Sequence, residues 1–226
     1  MECLKHEAQM IKMKEKIYPP YDEVERANAL THGFGFVASL IATYFLYQKG
    51  LASGDAQILW GLTIFGASLC FLYLASTLYH SIPFEQAEIR AVLRRVDHIA
   101  IYFLIAGTHT PFLLLFLPPD KAVLYLSIIW GMVLLGTLYK LFFFDRWPWF
   151  STVFYVIMGW SGAVTIPQMS DALSQTSIMW VLIGGLFYSS GVFFYVREKM
   201  KWHHVIWHLF VLAGSAGHFM GVWLCV

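Results

Sequence analysis

His204 and His208 stand four residues apart in the run HHVIWHLFVLAG, at the start of an apolar segment. Imidazoles at i and i+4 lie on one helix face, a turn apart, and can share a single cation. A lipid-embedded helix seldom carries two ionisable side chains without an ion, a ligand or a water-filled cavity to receive them. The spacing alone also fits histidines facing headgroups, so the metal reading depends on what else lies at the same depth. Two residues qualify: His80, which closes an earlier apolar segment, and Asp97, which opens the next.

Whether these residues are level is decided by the elements that carry them. The chain is 58% hydrophobic, 18% aromatic and only 13% charged, the composition of a protein whose solvent is lipid. Stretches long enough to cross ~30 Å of hydrocarbon fall at 29–47, 57–80, 96–117, 122–144, 150–169, 176–196 and 203–225. The expected fold is an all-α integral membrane protein, a seven-transmembrane helical bundle over 29–226 behind a charged arm over 1–28. The arm carries Leu4, Ala8 and Ile11 at helical spacing among lysines, which fits either an interfacial amphipathic helix or a solvated tail. It has no apolar core of the kind a cleavable signal peptide needs, so the first span is expected to act as its own insertion signal.

Of the 15 lysines and arginines, only Lys49 and Lys121 lie on the side of the bundle opposite the arm. Positive flanks stay in the cytoplasm during insertion, which predicts a cytoplasmic N-terminus and an outside C-terminus in a multi-pass cell membrane protein of the bacterial cytoplasmic type. His80, Asp97, His204 and His208 then all lie near the cytoplasmic boundary. Tyr73, Ser76 and His80 share one helix face, and so do His204, His208, Val211, Ser215 and His218, with Gly214 and Gly221 beside them where a neighbouring helix could approach closely. That places the last helix at the centre of the bundle.

Three neutral imidazoles suit a borderline-soft ion such as Zn²⁺, leaving its fourth position for water, a carboxylate or substrate. If Asp97 only hydrogen-bonds a water there, the site is open and catalytic in type; if it ligates, the shell is closed and structural. Val205 follows His204, so the HExxH arrangement is absent and Asp97 is the natural base. Each residue also has a plainer reading. His80 could face headgroups, Asp97 could serve the dipole of its helix, and Ser76 could bond back to the carbonyl four residues earlier. Asn28 and His32 are expected to cap the first span rather than line a vestibule, and His98 and His203 to face the interface.

The ordered blocks ASTLYHS around Ser76 and His80, RRVDHIAIYFLIAGTHTPF with Asp97, and HHVIWHLFVLAGSAGHF resemble the three motifs of the hemolysin III family. That family is related to the progestin and adiponectin receptors (PAQR) and more distantly to alkaline ceramidases. The resemblance runs from ERANALTHGFG to the C-terminus. It implies a seven-helix bundle with an intramembrane zinc held by His80, His204 and His208, a water held by Asp97, and Ser76 supporting the ligands. Tyr73, Asn28 and His32 are possible accessories, and the acid of the first motif is either Glu23 or Glu25. It further implies hydrolysis of a membrane lipid amide, ceramide being the best-known candidate. The long N-terminal region of the adiponectin receptors is missing, which counts against a hormone-receptor role.

His109 and His218 lie ~18 Å and ~21 Å along their helices from Asp97 and His204, too deep to join the first cluster. They could meet each other. Pro111 and Pro167 are expected to kink their spans. Cys3, Cys70 and Cys225 are too scattered for a disulfide framework. No phosphate loop, nucleophile elbow or nucleic-acid patch is present in the sequence. Three functions remain: a zinc-dependent lipid hydrolase, a receptor or membrane-homeostasis regulator with a structural zinc, and a hemolysin-like pore. The pore is disfavoured because no span carries a regular charged stripe.

Overall fold

The computed structural model describes Gln9, residues 23–144 and residues 146–226. The arm apart from Gln9, with the amphipathic stretch expected in it, lies outside the described residues up to position 22. Helix α1 runs Glu23–Ser53, α2 Ala56–Ser81, α3 Ala87–Phe116, α4 Pro119–Phe142, α5 Pro148–Trp160, α6 Ile166–Met169, α7 Gln175–Tyr195 and α8 His203–Leu224. A 3₁₀ turn at Ser161–Val164 joins α5 to α6, which together make the fifth span. Among the described residues, seven helical segments are long and apolar enough to cross a membrane, as the sequence predicts.

Local chemistry marks the boundaries. Gly54 takes the left-handed φ of 68° that the tight turn after α1 requires. Asp55 then caps α2, its Oδ1 accepting from the backbone N–H of Gln57 at 2.7 Å and of Ile58 at 3.3 Å. Pro119 and Pro148 open α4 and α5 at the first helical position, where a missing N–H costs nothing. Ser174 caps α7 by accepting from Ser177 N–H at 3.1 Å.

One boundary differs from the sequence reading. The first helix begins at Glu23, so Glu25 and Asn28 belong to the first span and not to the arm. The fifth span is interrupted at Ser161–Val164, just ahead of Pro167, where the sequence leads one to expect a kink.

The bundle is inside-out in the sense lipid demands. Leu30, Phe34, Val123 and Leu135 point outward, while the interior is tightly packed around Leu62, Phe65, Ala100 and Tyr102, each fully enclosed. Helix α3 holds the centre, with 56% of its apolar window buried against 50% for α2 and 39% for α8, so α8 is not the central helix. The reason is packing order: α3 contacts α2 and α4 extensively and also meets α5 and α8, whereas α8 packs chiefly on α7 and α1. Close approach at glycine makes this possible. A Cβ on Gly61 would stand 3.0 Å from the Pro111 backbone, and one on Gly217 would stand 2.9 Å from Gly184 Cα.

Candidate metal centre

His80 ends α2 while His204 and His208 begin α8, and alternating helix directions bring both ends to the same level. One ligand atom from each histidine lies within 4.8 Å of the other two. Ring centroids are 5.0 Å apart for His80 with either partner and 4.6 Å for His204 with His208. His80 and His208 are almost fully buried, at 2% and 1% exposure, which rules out headgroup-facing histidines.

Their outer nitrogens are fixed. His80 Nδ1 donates to Glu25 Oε2 at 3.1 Å. Thr31 Oγ1 spends its proton on the carbonyls of Ala27 and Asn28, both at 2.9 Å, so at 3.1 Å it is His208 Nδ1 that donates to the hydroxyl. Both rings are therefore held in the tautomer that leaves Nε2 as a lone pair. His80 Nε2 is sealed inside the protein with no hydrogen-bond partner. A buried, orphaned imidazole nitrogen facing two further imidazoles is the donor set a tetrahedral N-ligated cation requires, so the residues present fit Zn²⁺.

Glu25 is itself held. Arg90 donates to its Oε2 and also to the carbonyls of Tyr79 at 3.2 Å and Ile82 at 2.6 Å, the C-terminal end of α2. The guanidinium lies 4.6 Å from the Tyr79 ring centre and 4.3 Å from that of Phe84. This settles which acid of the first motif faces the histidines: Glu23 is largely exposed and pairs with Lys201 at 3.7 Å.

Asp97 is buried on α3, within electrostatic reach of His80 and Ser76, but stands outside the three-histidine group. Ser76 Oγ is enclosed, does not bond back to its own helix and lies beside the Asp97 carboxyl. Asn28 and His32 do not cap α1. They are buried in its second and third turns, and His32 stacks on His208 with centroids 3.5 Å apart. Tyr73 meets His32 edge-on at 5.1 Å and donates to Ser215 Oγ at 2.7 Å. His98 lines the interior cavity instead of the interface, its Nδ1 donating to Arg94 O at 2.7 Å, and His203 donates to Tyr195 O at 3.2 Å.

The sequence reading left out Thr31 and Arg90. Glu25, Asn28 and His32 recur at helical spacing, a signal obscured by placing the first two of them in the arm. Arg90 counted only as a positive flank, and nothing in the sequence shows it turned inward.

His204 and His208 open onto a cavity of about 190 Å³ running between α3, the fifth span, α7 and α8. It begins at Ser76, Asp97, His204 and His208 and is walled mainly by apolar side chains such as Leu72, Ile101 and Val211. Such a space suits a hydrocarbon chain.

Residues 22–219 match the family described as Haemolysin-III related. The chain belongs to the haemolysin III family. This member is 42% identical over 198 residues to the "Hemolysin-3 homolog" of Bacillus subtilis, covering 88% of this chain and 92% of the relative. It is equally similar to "Hemolysin-3" of Bacillus cereus, covering 90% of that protein. The human "Monocyte to macrophage differentiation factor" is 29% identical over 212 residues, covering 91% of this chain and 86% of the relative, which extends the relation to the PAQR proteins. Seven spans and bacterial relatives make this haemolysin III member a multi-pass protein of the bacterial membrane.

Proposed function

We propose that this haemolysin III protein is a zinc-dependent hydrolase that cleaves an amide bond of a membrane lipid at the cytoplasmic end of the bundle. The observation that carries this reading is the orphaned Nε2 of His80, aimed into a three-histidine cluster at the mouth of an apolar cavity. A Zn²⁺ ion held by His80, His204 and His208 would supply a Lewis acid that polarises the carbonyl and lowers the pKa of water. Glu25 and Thr31 hold the two ligand rings in register. The cavity takes the lipid's chain and brings its amide to the histidine cluster.

Asp97 is the base. Its carboxylate removes a proton from the attacking water as the new C–O bond forms, and returns that proton to the departing nitrogen as the C–N bond breaks. Ser76 Oγ, buried beside it with a proton to give, orients the carboxylate or the substrate carbonyl. The test is release of fatty acid from a ceramide by purified protein in vesicles. No release from any lipid amide by zinc-loaded protein overturns the reading.

One observation favours a second reading, a regulator with a structural zinc. His80 sits on α2, whereas α8 packs on α7 and α1, so a cation there would tie together helices with little direct packing. Under that reading Asp97→Ala leaves cellular function intact while chelation lowers thermal stability.

A further inference from the structure

The far end of the cavity holds two histidines that the hydrolytic reading does not use. His109 of α3 and His218 of α8 both line it. Their hydrogen bonds decide their tautomers, because a backbone carbonyl can only accept. His109 Nδ1 donates to Ile105 O at 2.8 Å, which leaves Nε2 an acceptor in the neutral ring. His218 Nε2 donates to Val181 O at 3.1 Å, which leaves Nδ1 an acceptor.

Three hydroxyls of the cavity wall are spent on backbone carbonyls. Thr108 gives its proton to Leu104 O at 2.8 Å, Thr165 to Gly162 O at 2.8 Å and Ser189 to Gly185 O at 2.8 Å. Tyr188, whose ring stands 5.2 Å from that of His218, has its hydroxyl engaged by Ser215 at 2.7 Å. Space at the acceptor is kept open by the break in the fifth span: a Cβ on Gly162 would sit 2.9 Å from His109 Nε2. Only glycine leaves that approach free.

We propose that this end of the cavity is a recognition site for a hydroxyl carried on the chain of the bound lipid, its one proton donated to His109 Nε2 or to His218 Nδ1. Two neutral acceptors in a mainly apolar wall, with the hydroxyls of Thr108, Thr165 and Ser189 given to backbone carbonyls, call for a donor brought by the occupant. The pair lies ~18 Å and ~21 Å along α3 and α8 from Asp97 and His204, which sets the separation between the lipid's reacting end and its hydroxyl. The site requires that a lipid enter the cavity, as in the hydrolase reading, but not that zinc be bound or that turnover occur.

The test compares binding of 16-hydroxyhexadecanoic acid and hexadecanoic acid to the purified full chain. The hydroxy acid is expected to bind about fivefold more tightly. A 12-hydroxydodecanoic acid, too short to reach both ends, gains no such advantage over dodecanoic acid. His109→Leu and His218→Leu combined in one chain abolish the preference, and His109→Gln, which keeps an acceptor, retains it at least in part. In wild-type protein stripped of metal by a chelator the preference persists, so failure of the metal reading leaves this result untouched. Equal binding of the two long acids by the wild type overturns the proposal, as does a preference that survives the combined leucine substitutions. Should those variants not fold, the comparison across chain lengths in the wild type still decides.

Discussion

Glu25 Oε2 and His80 Nδ1 stand 3.1 Å apart across the contact between α1 and α2, and Arg90 reaches the same carboxylate oxygen from α3. Three helices thus meet at one carboxylate, and that carboxylate determines which nitrogen of His80 is left for a metal. Carboxylate–histidine pairs of this kind orient the ring and raise its basicity as a ligand.

Glu25→Ala is therefore expected to weaken Zn²⁺ binding by about 10- to 100-fold. Glu25→Gln, whose amide oxygen still accepts from Nδ1, recovers most of the loss. Competition titration against a chromophoric chelator measures both, and unchanged affinity in Glu25→Ala would show that the contact does not support the site.

Metal bound to the folded state alone stabilises it. At about 100 times its dissociation constant, Zn²⁺ should add about 2.7 kcal/mol, seen as a higher melting temperature that chelation reverses. His80→Ala and His208→Ala should show neither the gain nor stoichiometric metal in elemental analysis.

Asp97→Asn keeps the shape of the side chain and removes the base. The expected result is full zinc content with hydrolysis slowed by about 100- to 10 000-fold. Comparing metal content with fatty-acid release separates a chemical role for Asp97 from a ligand role, which would lower both.

The contact of α7 with α8 depends on glycine. Because the Gly217 Cβ position lies 2.9 Å from Gly184 Cα and 3.0 Å from Gly184 N, the added methyl meets backbone that cannot step aside. Gly217→Ala should cost about 1–3 kcal/mol by thermal denaturation. Gly131→Ala, with open space at its Cβ, should leave stability unchanged or slightly raised.

Thirteen of the 15 lysines and arginines flank one side of the bundle, so that side should face the cytoplasm. Single cysteines introduced into a cysteine-free chain test this. Membrane-impermeant reagents on intact cells should label position 121 and spare position 199; the reverse pattern would invert the topology.

Length and hydropathy alone determined the seven spans, because a lipid-exposed backbone must close its own hydrogen bonds and helices do so wherever ~20 apolar residues run together. The HxxxH of His204 and His208 was legible for the same reason: both residues lie on one helix, where spacing fixes facing. Alternation of direction then put His80 and Asp97 at their level. Other features depend on contacts between helices, and no spacing within a segment encodes those. Only the folded bundle turns Glu25 toward His80, draws Arg90 inward and stacks His32 on His208. The fold also decides that α3, and not α8, is central. His109 and His218 read as strays in the sequence and become one end of a cavity only because α3, α8 and the broken fifth span close around the same space.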